Sequence, residues 1–266
     1  MAFLLAPFRS AWQHRKLLRA LSVREISTSF KGSFIGLGWL VLQPLATLAV
    51  YAFVFGGLLY GGGDMQFVSQ LFTGLIIFQA FSELVQRAPR LVVSRPSYVT
   101  KIVFPLDMLP WPVAALASVH AAASMVMLLI LHTLFVGVPS WTVIAMPIVV
   151  TSVLLLGLSI SWILSSIGVY VRDTQEIVRV VMQMLFFLSP IVWKLEVAQT
   201  HTPALAAVAM YNPLAIAMET SRALIDNTHP APGILPIALL FGGSLVFAGI
   251  AHAFFRRTKS GFADVL

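Results

Sequence analysis

The sequence contains no cysteine and few charged residues. The absence of cysteine excludes disulfides and thiolate metal sites, and it leaves the redox compartment undetermined. Only 10% of the residues are charged and 59% are hydrophobic, whereas an ordinary soluble domain has roughly 25% charged residues. Fifteen prolines and seventeen glycines would break a soluble helical core, but membrane helices tolerate both. The composition therefore predicts a helical bundle in a membrane.

Motifs for nucleotide and metal chemistry are also missing. A phosphate-cradling loop requires Gly-x-x-x-x-Gly-Lys-Ser/Thr, and the Lys259-Ser260 pair has no glycines at those positions. Acidic ligands with histidines at metal spacing and Gly-x-Ser-Gly nucleophile turns are absent too. An enzyme within the membrane would need such groups to converge. We therefore expect no enzyme activity, and no nucleotide, cofactor or metal bound by this chain.

Six apolar stretches are long enough, or nearly long enough, to cross a bilayer, which takes about 20 residues. Residues 108–171 contain no charged side chain and divide at a Gly-Val-Pro-Ser sequence, residues 137–140, into two spans. The fifth stretch is the shortest and begins beside Arg179. The predicted spans are 34–60, 65–86, 108–136, 141–170, 177–193 and 234–255. The sequence thus predicts an all-α membrane protein with six transmembrane helices.

Basic residues fall in blocks between the apolar runs, almost all on one side of the membrane. Fifteen of the seventeen lie in the N-terminal segment, the loops after the second and fourth spans, and the C-terminal segment. Short loops rich in Lys and Arg stay cytoplasmic, so both termini are expected in the cytoplasm of a multi-pass inner-membrane protein. The first 31 residues contain no compact apolar segment before a cleavage site, so no cleaved signal peptide is expected.

Three cytoplasmic segments are candidate contacts with a partner protein. Residues 8–28 mix apolar and basic side chains, as in a helix at the membrane interface. The apolar and basic faces do not separate cleanly, so a helix packed on both sides fits better than one floating on lipid. An anchor held by anionic lipid is the alternative. Residues 87–110 contain four basic residues and four prolines. Retention of a basic loop on the cytoplasmic side would explain the charges but not the prolines. Residues 172–179 form either a further contact or a helix start neutralised by pairing at i+3 or i+4. The candidate contact residues are Arg15, Arg19, Arg24, Arg90, Arg95, Lys101, Arg172 and Asp173.

The long loop after the fifth span is largely apolar from Ala204 to Leu224 but is interrupted by Asn212-Pro213. Proline removes a backbone donor and disfavours helix at the preceding residue. This pattern predicts two short helices that enter the membrane from outside and return. Because irregular backbone at that depth must be covered by protein or line an aqueous cavity, residues 195–230 are a candidate outer gate.

Polar residues inside the spans are few. His120, His132 and His252 are expected to be neutral and hydrogen-bonded between helices, with no buried Asp or Glu beside them, although a proton relay is the alternative. Glu83 is expected to pair with Arg87 one turn away. In the fourth span, small residues repeat at four-residue spacing and predict close helix packing. They are Gly157, Ser161 and Ser165.

Short motifs in a fixed order connect these features. They are Arg24-Glu25-Ile26, residues 30–39, Gln43-Pro44-Leu45, Phe104-Pro105, Leu109-Pro110, Val171-Arg172-Asp173, Leu188-Ser189-Pro190-Ile191, Asn212-Pro213-Leu214, residues 254–259 and Phe262-Ala263-Asp264. In this order, and over nearly the whole chain, they resemble the permease subunit of bacterial ABC exporters for O-antigen, capsular and teichoic-acid polysaccharides.

The resemblance implies a homodimer of permeases bound to two copies of a separate nucleotide-binding subunit, which holds ATP and Mg. It implies that the N-terminal helix and the loop after the second span contact that ATPase. It also implies that the helices after the fifth span form the outer gate, and that aromatic side chains line a channel for sugar chains, although lipid anchoring is an equal alternative for those. The implied channel or gate residues are Trp39, Tyr51, Phe186, Phe187, Ser189, Pro190, Trp193, Asn212 and Pro213.

The sequence therefore predicts two parts, an interface segment at 1–31 and a six-helix permease domain at 32–266. The predicted function is export of lipid-linked polysaccharide, of O-antigen or capsule type, across the inner membrane. Its predicted partners are the ATPase, a second copy of the chain and membrane lipids, and not nucleic acid. An ABC permease for a drug or lipid is one alternative. A proton-coupled secondary transporter, dependent on the membrane histidines, is the other.

Overall fold

A computed structural model describes residues 5–56, 65–100, 104–226 and 233–265. These ranges are helical almost throughout and contain no strand, which confirms the predicted all-α class. In the first half of the chain the helices are α1 (Ala6–Gln13), α2 (Arg15–Phe30), α3 (Trp39–Tyr51), α4 (Met65–Arg87), α5 (Pro96–Thr100) and α6 (Pro110–Phe135). In the second half they are α7 (Met146–Tyr170), α8 (Thr174–Leu188), α9 (Leu195–His201), α10 (Pro203–Tyr211), α11 (Pro213–Ile225) and α12 (Ile234–Thr258).

Five helical stretches in the described ranges are long and apolar enough to cross a membrane. They are Gly36–Val54, Met65–Arg90, Leu106–Phe135, Trp141–Tyr170 and Ile234–Asp264. Each overlaps one of the predicted spans; the end of the first predicted span, residues 57–60, lies outside the described residues. The predicted fifth span, 177–193, differs, because α8 has only 15 residues and ends at Leu188. Pro190 follows two residues later, and a proline disfavours helix just before it.

The N-terminal segment forms two helices rather than one, with the break at His14. Helix α1 buries Pro7 and Ala11, whereas α2 buries no residue. Helix α2 packs along α6, and α1 packs against α12. Within the segment 8–28, α1 is therefore packed against the bundle, whereas α2, which carries most of the mixed faces, lies on the surface, and its clamping by a partner stays a prediction.

The centre of the bundle is α7, which packs against α12 on one side and α4 on the other. The predicted small-residue ridge lies at the contact with α4. Ser161 and Ser165 are fully buried, and the Ser161 hydroxyl donates to the carbonyl oxygen of Leu84 at 3.1 Å. A Cβ on Gly157 would lie 3.0 Å from a side-chain carbon of Leu84. Small residues thus allow the two backbones to approach, as membrane helix pairs require.

The predicted outer gate, 195–230, contains α9, α10 and α11, and its residues 227–230 lie outside the described residues. The predicted break is present: α10 ends at Tyr211 and α11 begins at Pro213. Helix α11 packs against α4 and α7. Its last turn is fixed to the turn before α7, since Ser140 donates its backbone N–H to Ile225 O at 3.2 Å. The gate segment is thus attached to the bundle through α11.

Candidate partner surface and outer gate

The described residues among those predicted to contact a partner lie at one end of the bundle. The segments that carry them are joined there, because Arg87 of α4 pairs with Glu25 of α2 at 3.2 Å, and Gln175 of α8 donates to Gln86 O at 3.1 Å. Arg95 is half-buried, and Lys101 lies outside the described residues. The exposed members are Arg15, Arg19, Arg24, Arg90, Arg172 and Asp173. We call this set, with Arg95, the partner surface.

Glu25 positions α2 on this surface. Its carboxylate pairs with Arg87 at 3.2 Å and with Arg95 at 3.8 Å, and Arg87 also reaches Glu83 at 3.2 Å. The last contact confirms the predicted pair within α4. Exposed ion pairs contribute about 0–1 kcal/mol each, so this network orients α2 more than it stabilises it. Sequence reasoning missed Glu25, although it is the acidic residue in a basic segment.

A different contact fixes α1. The buried carboxylate of Asp107 accepts a hydrogen bond from the Ser10 hydroxyl of α1 at 2.6 Å, and its Oδ2 lies 3.2 Å from Nε2 of His252 in α12. The backbone carbonyl of Asp107 accepts from the Trp162 indole of α7 at 3.0 Å. Phe8 of α1 adds an edge contact with Trp111. We call Ser10, Asp107 and His252 the buried junction; it connects the N-terminal helix, the second loop and the last span.

The expectation that no buried carboxylate accompanies the membrane histidines is therefore wrong. His252 has Asp107, and His120 has Glu83, whose Oε2 lies 2.8 Å from its Nδ1. These partners are 145 and 37 residues away along the chain, so neither sequence spacing nor periodicity could reveal them. His132 forms the predicted bond between helices, with the Ser69 hydroxyl of α4 at 2.8 Å. The predicted pairing at the start of α8 is also present, with Arg179 and Glu176 at 2.6 Å.

Two predicted gate residues, Ser189 and Asn212, are hydrogen-bonded to each other just after the end of α8. The Asn212 side-chain amide donates to the Ser189 hydroxyl at 2.9 Å, and its carbonyl oxygen accepts from the backbone N–H of Leu214 at 3.0 Å, which caps α11. Pro213 occupies the first turn of α11, where its missing donor costs nothing. Pro190 lies beside Ser189 at the end of α8, in a buried segment. Asn212 thus connects the break in the gate to the turn after α8.

The predicted channel aromatics form one cluster, except for Trp39. Phe186 contacts Tyr51 of α3, Phe78 of α4 and Phe187, with ring centroids 5.7, 5.2 and 5.3 Å apart. Trp193 joins by donating its indole N–H to Phe187 O at 3.0 Å. Phe78 is an addition that the sequence did not indicate. Trp39 lies away from this cluster, at the start of α3, and donates to the Ser33 hydroxyl at 2.8 Å.

Arg222 of α11 is a buried cation that sequence reasoning missed. Its guanidinium donates to Gln70 O of α4 at 3.0 Å, to Ile191 O at 3.2 Å and to Glu219 at 2.7 Å. A Cβ on Gly74 would lie 3.2 Å from that guanidinium, so glycine makes room for it. Arg222 therefore holds α11, α4 and the turn after α8 together. The signal in the sequence was that this arginine lies in a mostly apolar segment of the outer loop, where an unburied cation would have few polar neighbours.

The described residues contain no cluster of three or more His, Asp or Glu side chains that could hold a metal ion. These residues instead form a charged surface, a buried polar junction and a hydrogen bond between Asn212 and the turn after α8.

Comparison with known proteins gives a family match and several similar proteins. The family model for the ABC-2 type transporter matches residues 16–225. The chain is 29% identical over 256 residues to the O-antigen export system permease protein RfbA of Myxococcus xanthus, covering 96% of this chain and 97% of that protein. It is 22% identical over 254 residues to the protein of the same name from Klebsiella pneumoniae, covering 94% and 95%. It is 23% identical over 247 residues to the polysialic acid transport protein KpsM of Escherichia coli, covering 91% and 95%. The chain belongs to the ABC-2 type transporter family.

Proposed function

We propose that this chain is the transmembrane subunit of an ATP-driven exporter that moves a lipid-linked polysaccharide, of O-antigen or capsule type, across the inner membrane. The observation that carries the proposal is the similarity, along more than nine-tenths of the chain, to proteins named for O-antigen export and polysialic acid transport. In this function the chain catalyses no reaction. ATP and Mg bind to a separate nucleotide-binding subunit, and two copies of each subunit make the exporter.

The topology in this proposal has six spans and both termini in the cytoplasm. Helix α8 with residues 189–193 makes the fifth span, and α10 and α11 re-enter the membrane from outside. Residues 1–31 are the interface segment and 32–266 the permease domain. The confinement of the exposed partner-surface cations to one end of the bundle supports this orientation.

Coupling follows from the contacts. The ATPase docks on the partner surface, and its movement on ATP hydrolysis displaces α1, α2 and the loop after α4. The buried junction passes that displacement from α1 to α12, because Ser10 and His252 share one carboxylate. At the outer end, separation of Asn212 from Ser189 frees α10 from the turn after α8.

A second function is favoured by one observation, the pairing of His120 with Glu83 and of His252 with Asp107. Such pairs are the groups that a proton relay in a secondary transporter would use. Transport by such a protein would stop when the proton gradient is collapsed and would not require ATP, whereas an ATP-driven exporter would continue to transport as long as ATP is supplied. An ABC permease for a drug or lipid would share the partner surface, and its substrate would differ.

The proposal is tested first in the native bacterium. Deletion of the gene is expected to remove the surface polysaccharide and to leave lipid-linked glycan in the cytoplasmic leaflet, and a plasmid copy is expected to restore export. Unchanged surface polysaccharide would refute a role in its export. Loss of drug or lipid efflux instead would assign the chain to the other substrate class.

The ATPase partner is tested by purification of the tagged chain from native membranes. We expect a P-loop subunit to co-purify with the unaltered chain, and to be lost when Arg90→Glu and Arg172→Glu are combined. The matched control reverses two exposed cations of the C-terminal segment that lie outside the partner surface, Arg256→Glu and Arg257→Glu. Loss of the subunit in the control as well would show an effect of net charge rather than of this surface. Transport by a chain that purifies alone would exclude the partner.

A further inference from the structure

A cavity with a mixed polar and apolar lining lies between α3, α4 and α6, separate from the outer gate. Its volume is about 320 Å³, near the lower end of the roughly 300–1,000 Å³ of ligand pockets. Polar side chains from all three helices line it, together with one indole ring. They include Trp39, Gln43, Gln79, Glu83, His120 and Ser124. It lies towards the end of α4 that bears the partner surface.

Helix α4 turns a polar face to this cavity. From Leu71 to Val85 every residue of α4 is buried except Gln79 and Glu83, which are four residues apart and therefore on one face. Polar side chains within a membrane span are costly unless they face protein or water. Glu83 is already paired with Arg87 and His120. Gln79 is therefore the residue of this face that borders the cavity without a protein partner among the described residues.

Helices α3 and α6 contribute further polar side chains to the same cavity. Trp39 and Gln43 are four residues apart on α3, and His120 and Ser124 are four apart on α6, so each pair shares a helix face. The indole of Trp39 is oriented by its bond to the Ser33 hydroxyl and is 42% exposed. In the described part of the chain, the side-chain amides of Gln43 and Gln79 have no hydrogen-bond partner. Two amides are thus available to a bound molecule.

The chemistry of this lining matches neutral sugars. A side-chain amide both donates and accepts, which suits hydroxyl groups, because they also do both. The exposed Trp39 side chain offers a flat apolar face. Among the described lining residues Arg87 is the cation, and it is already paired with Glu25 and Glu83. Phosphate recognition relies on available cationic donors, so a lipid phosphate fits this cavity poorly.

We propose that this cavity binds a sugar unit of the polysaccharide at the cytoplasmic end of the export path. The inference rests on the proposed function and adds the place where this chain recognises its substrate. Gln43 and Gln79 hydrogen-bond the sugar hydroxyls, and Trp39 stacks on the ring. Its volume of about 320 Å³ has room for a single unit rather than a chain segment.

The chain lacks cysteine, so single cysteines can be introduced without background. In membrane vesicles with the cytoplasmic face outward, Gln43→Cys and Gln79→Cys are expected to react with a positively charged, membrane-impermeant methanethiosulfonate. Ser94→Cys, in the exposed loop after α4, is the accessible control, and Ser152→Cys, buried within α7, is the inaccessible control. Reaction of both cavity cysteines at the rate of Ser152→Cys would overturn the proposal, because the cavity would be closed to water.

Protection by ligand decides what the cavity binds. The probe is the polysaccharide of the native bacterium, released from its lipid by mild acid. At a concentration about ten times its Kd only about a tenth of the cavities are free, so modification of the cavity cysteines should slow about tenfold while Ser94→Cys is unaffected. Protection by sodium pyrophosphate but not by the polysaccharide would overturn the proposal in favour of a phosphate site. Protection by neither would exclude a substrate site here.

Transport separates this inference from the proposed function. Gln43→Leu with Gln79→Leu is expected to lower export at least severalfold while the ATPase still co-purifies, and Gln→Asn at both positions should restore part of it. Full export by the leucine variant would overturn the inference and leave the proposed function intact. An unchanged surface polysaccharide in the deletion strain would instead refute the proposed function itself.

Discussion

The buried junction provides the sharpest test of how α1 is held. Asp107→Ala removes a carboxylate that is 5% exposed and leaves His252 and the Ser10 hydroxyl without their partner. A buried polar group left without its partner costs about 1–3 kcal/mol, and this change leaves two such groups. Asp107→Asn keeps the volume and one acceptor, so it should cost less. The Trp162 bond goes to the backbone carbonyl of residue 107 and survives both changes.

The single change Ser10→Ala should cost about 1.5–3 kcal/mol, the range for a hydrogen bond to a charged group. Combined with Asp107→Ala it should add almost nothing, because the carboxylate it served is already absent. Ser118→Ala is the matched control, since that hydroxyl bonds only the carbonyl of Ala114 within its own helix, and it should change stability by less than about 0.5 kcal/mol.

The free energies of unfolding are measured by titration with sodium dodecyl sulfate in mixed micelles. Limited trypsin digestion at Arg9 reports the attachment of α1 separately, and Ser10→Ala should speed that cleavage while Ser118→Ala does not. Additive costs in the double variant, or unchanged cleavage in Ser10→Ala, would show that the Ser10–Asp107 bond does not hold α1. The reasoning on coupling through α1 would then fail with it.

Three further changes test the packing and the gate. Gly168→Ala would bring a Cβ into a clash with the backbone carbonyl oxygen of Pro89, so we expect a loss of about 1–3 kcal/mol in the same titration. Gly243→Ala, with open space around it, is the control and should be neutral or stabilising. Equal effects of the two changes would contradict the close contact. Asn212→Ala removes a helix cap, worth about 0.5–2 kcal/mol, and the hydrogen bond to Ser189. It should raise the accessibility of a cysteine introduced in the outer loop. Unaltered accessibility would show that this bond does not hold the outer loop closed. Arg222→Leu leaves two carbonyl oxygens without their donor, so it should lower the melting temperature more than Asn212→Ala does. A larger effect of Asn212→Ala would contradict the role of this buried cation.

The apolar spans were predictable because hydropathy is a property of consecutive residues. Four predicted spans coincide closely with α4, α6, α7 and α12. The break at Asn212-Pro213 was predictable for a similar reason, since proline acts on its immediate neighbour. The end of α8 at Leu188 was missed, although Pro190 was the signal for it. The predicted span continued to Trp193 because its bounds followed the apolar run and not the proline.

The contacts that position the site depend on residues far apart in sequence. Asp107 was read as part of a loop, and its burial depends on α1 and α12, which lie at opposite ends of the chain. The cavity lining was hidden for the same reason, because Gln43, Gln79 and His120 face one another only after three helices pack. Local periodicity reports which face a helix presents, but not what it meets there.

The buried junction also sets an order of assembly. Asp107 is inserted long before His252 is synthesised, since chains emerge from the N-terminus, and until α12 arrives the carboxylate lacks its imidazole partner. The Ser10 hydroxyl can still donate to it in that interval, but the contacts between α1 and α12 are missing. The N-terminal helix therefore reaches its final attachment only after the last span of the subunit has been made.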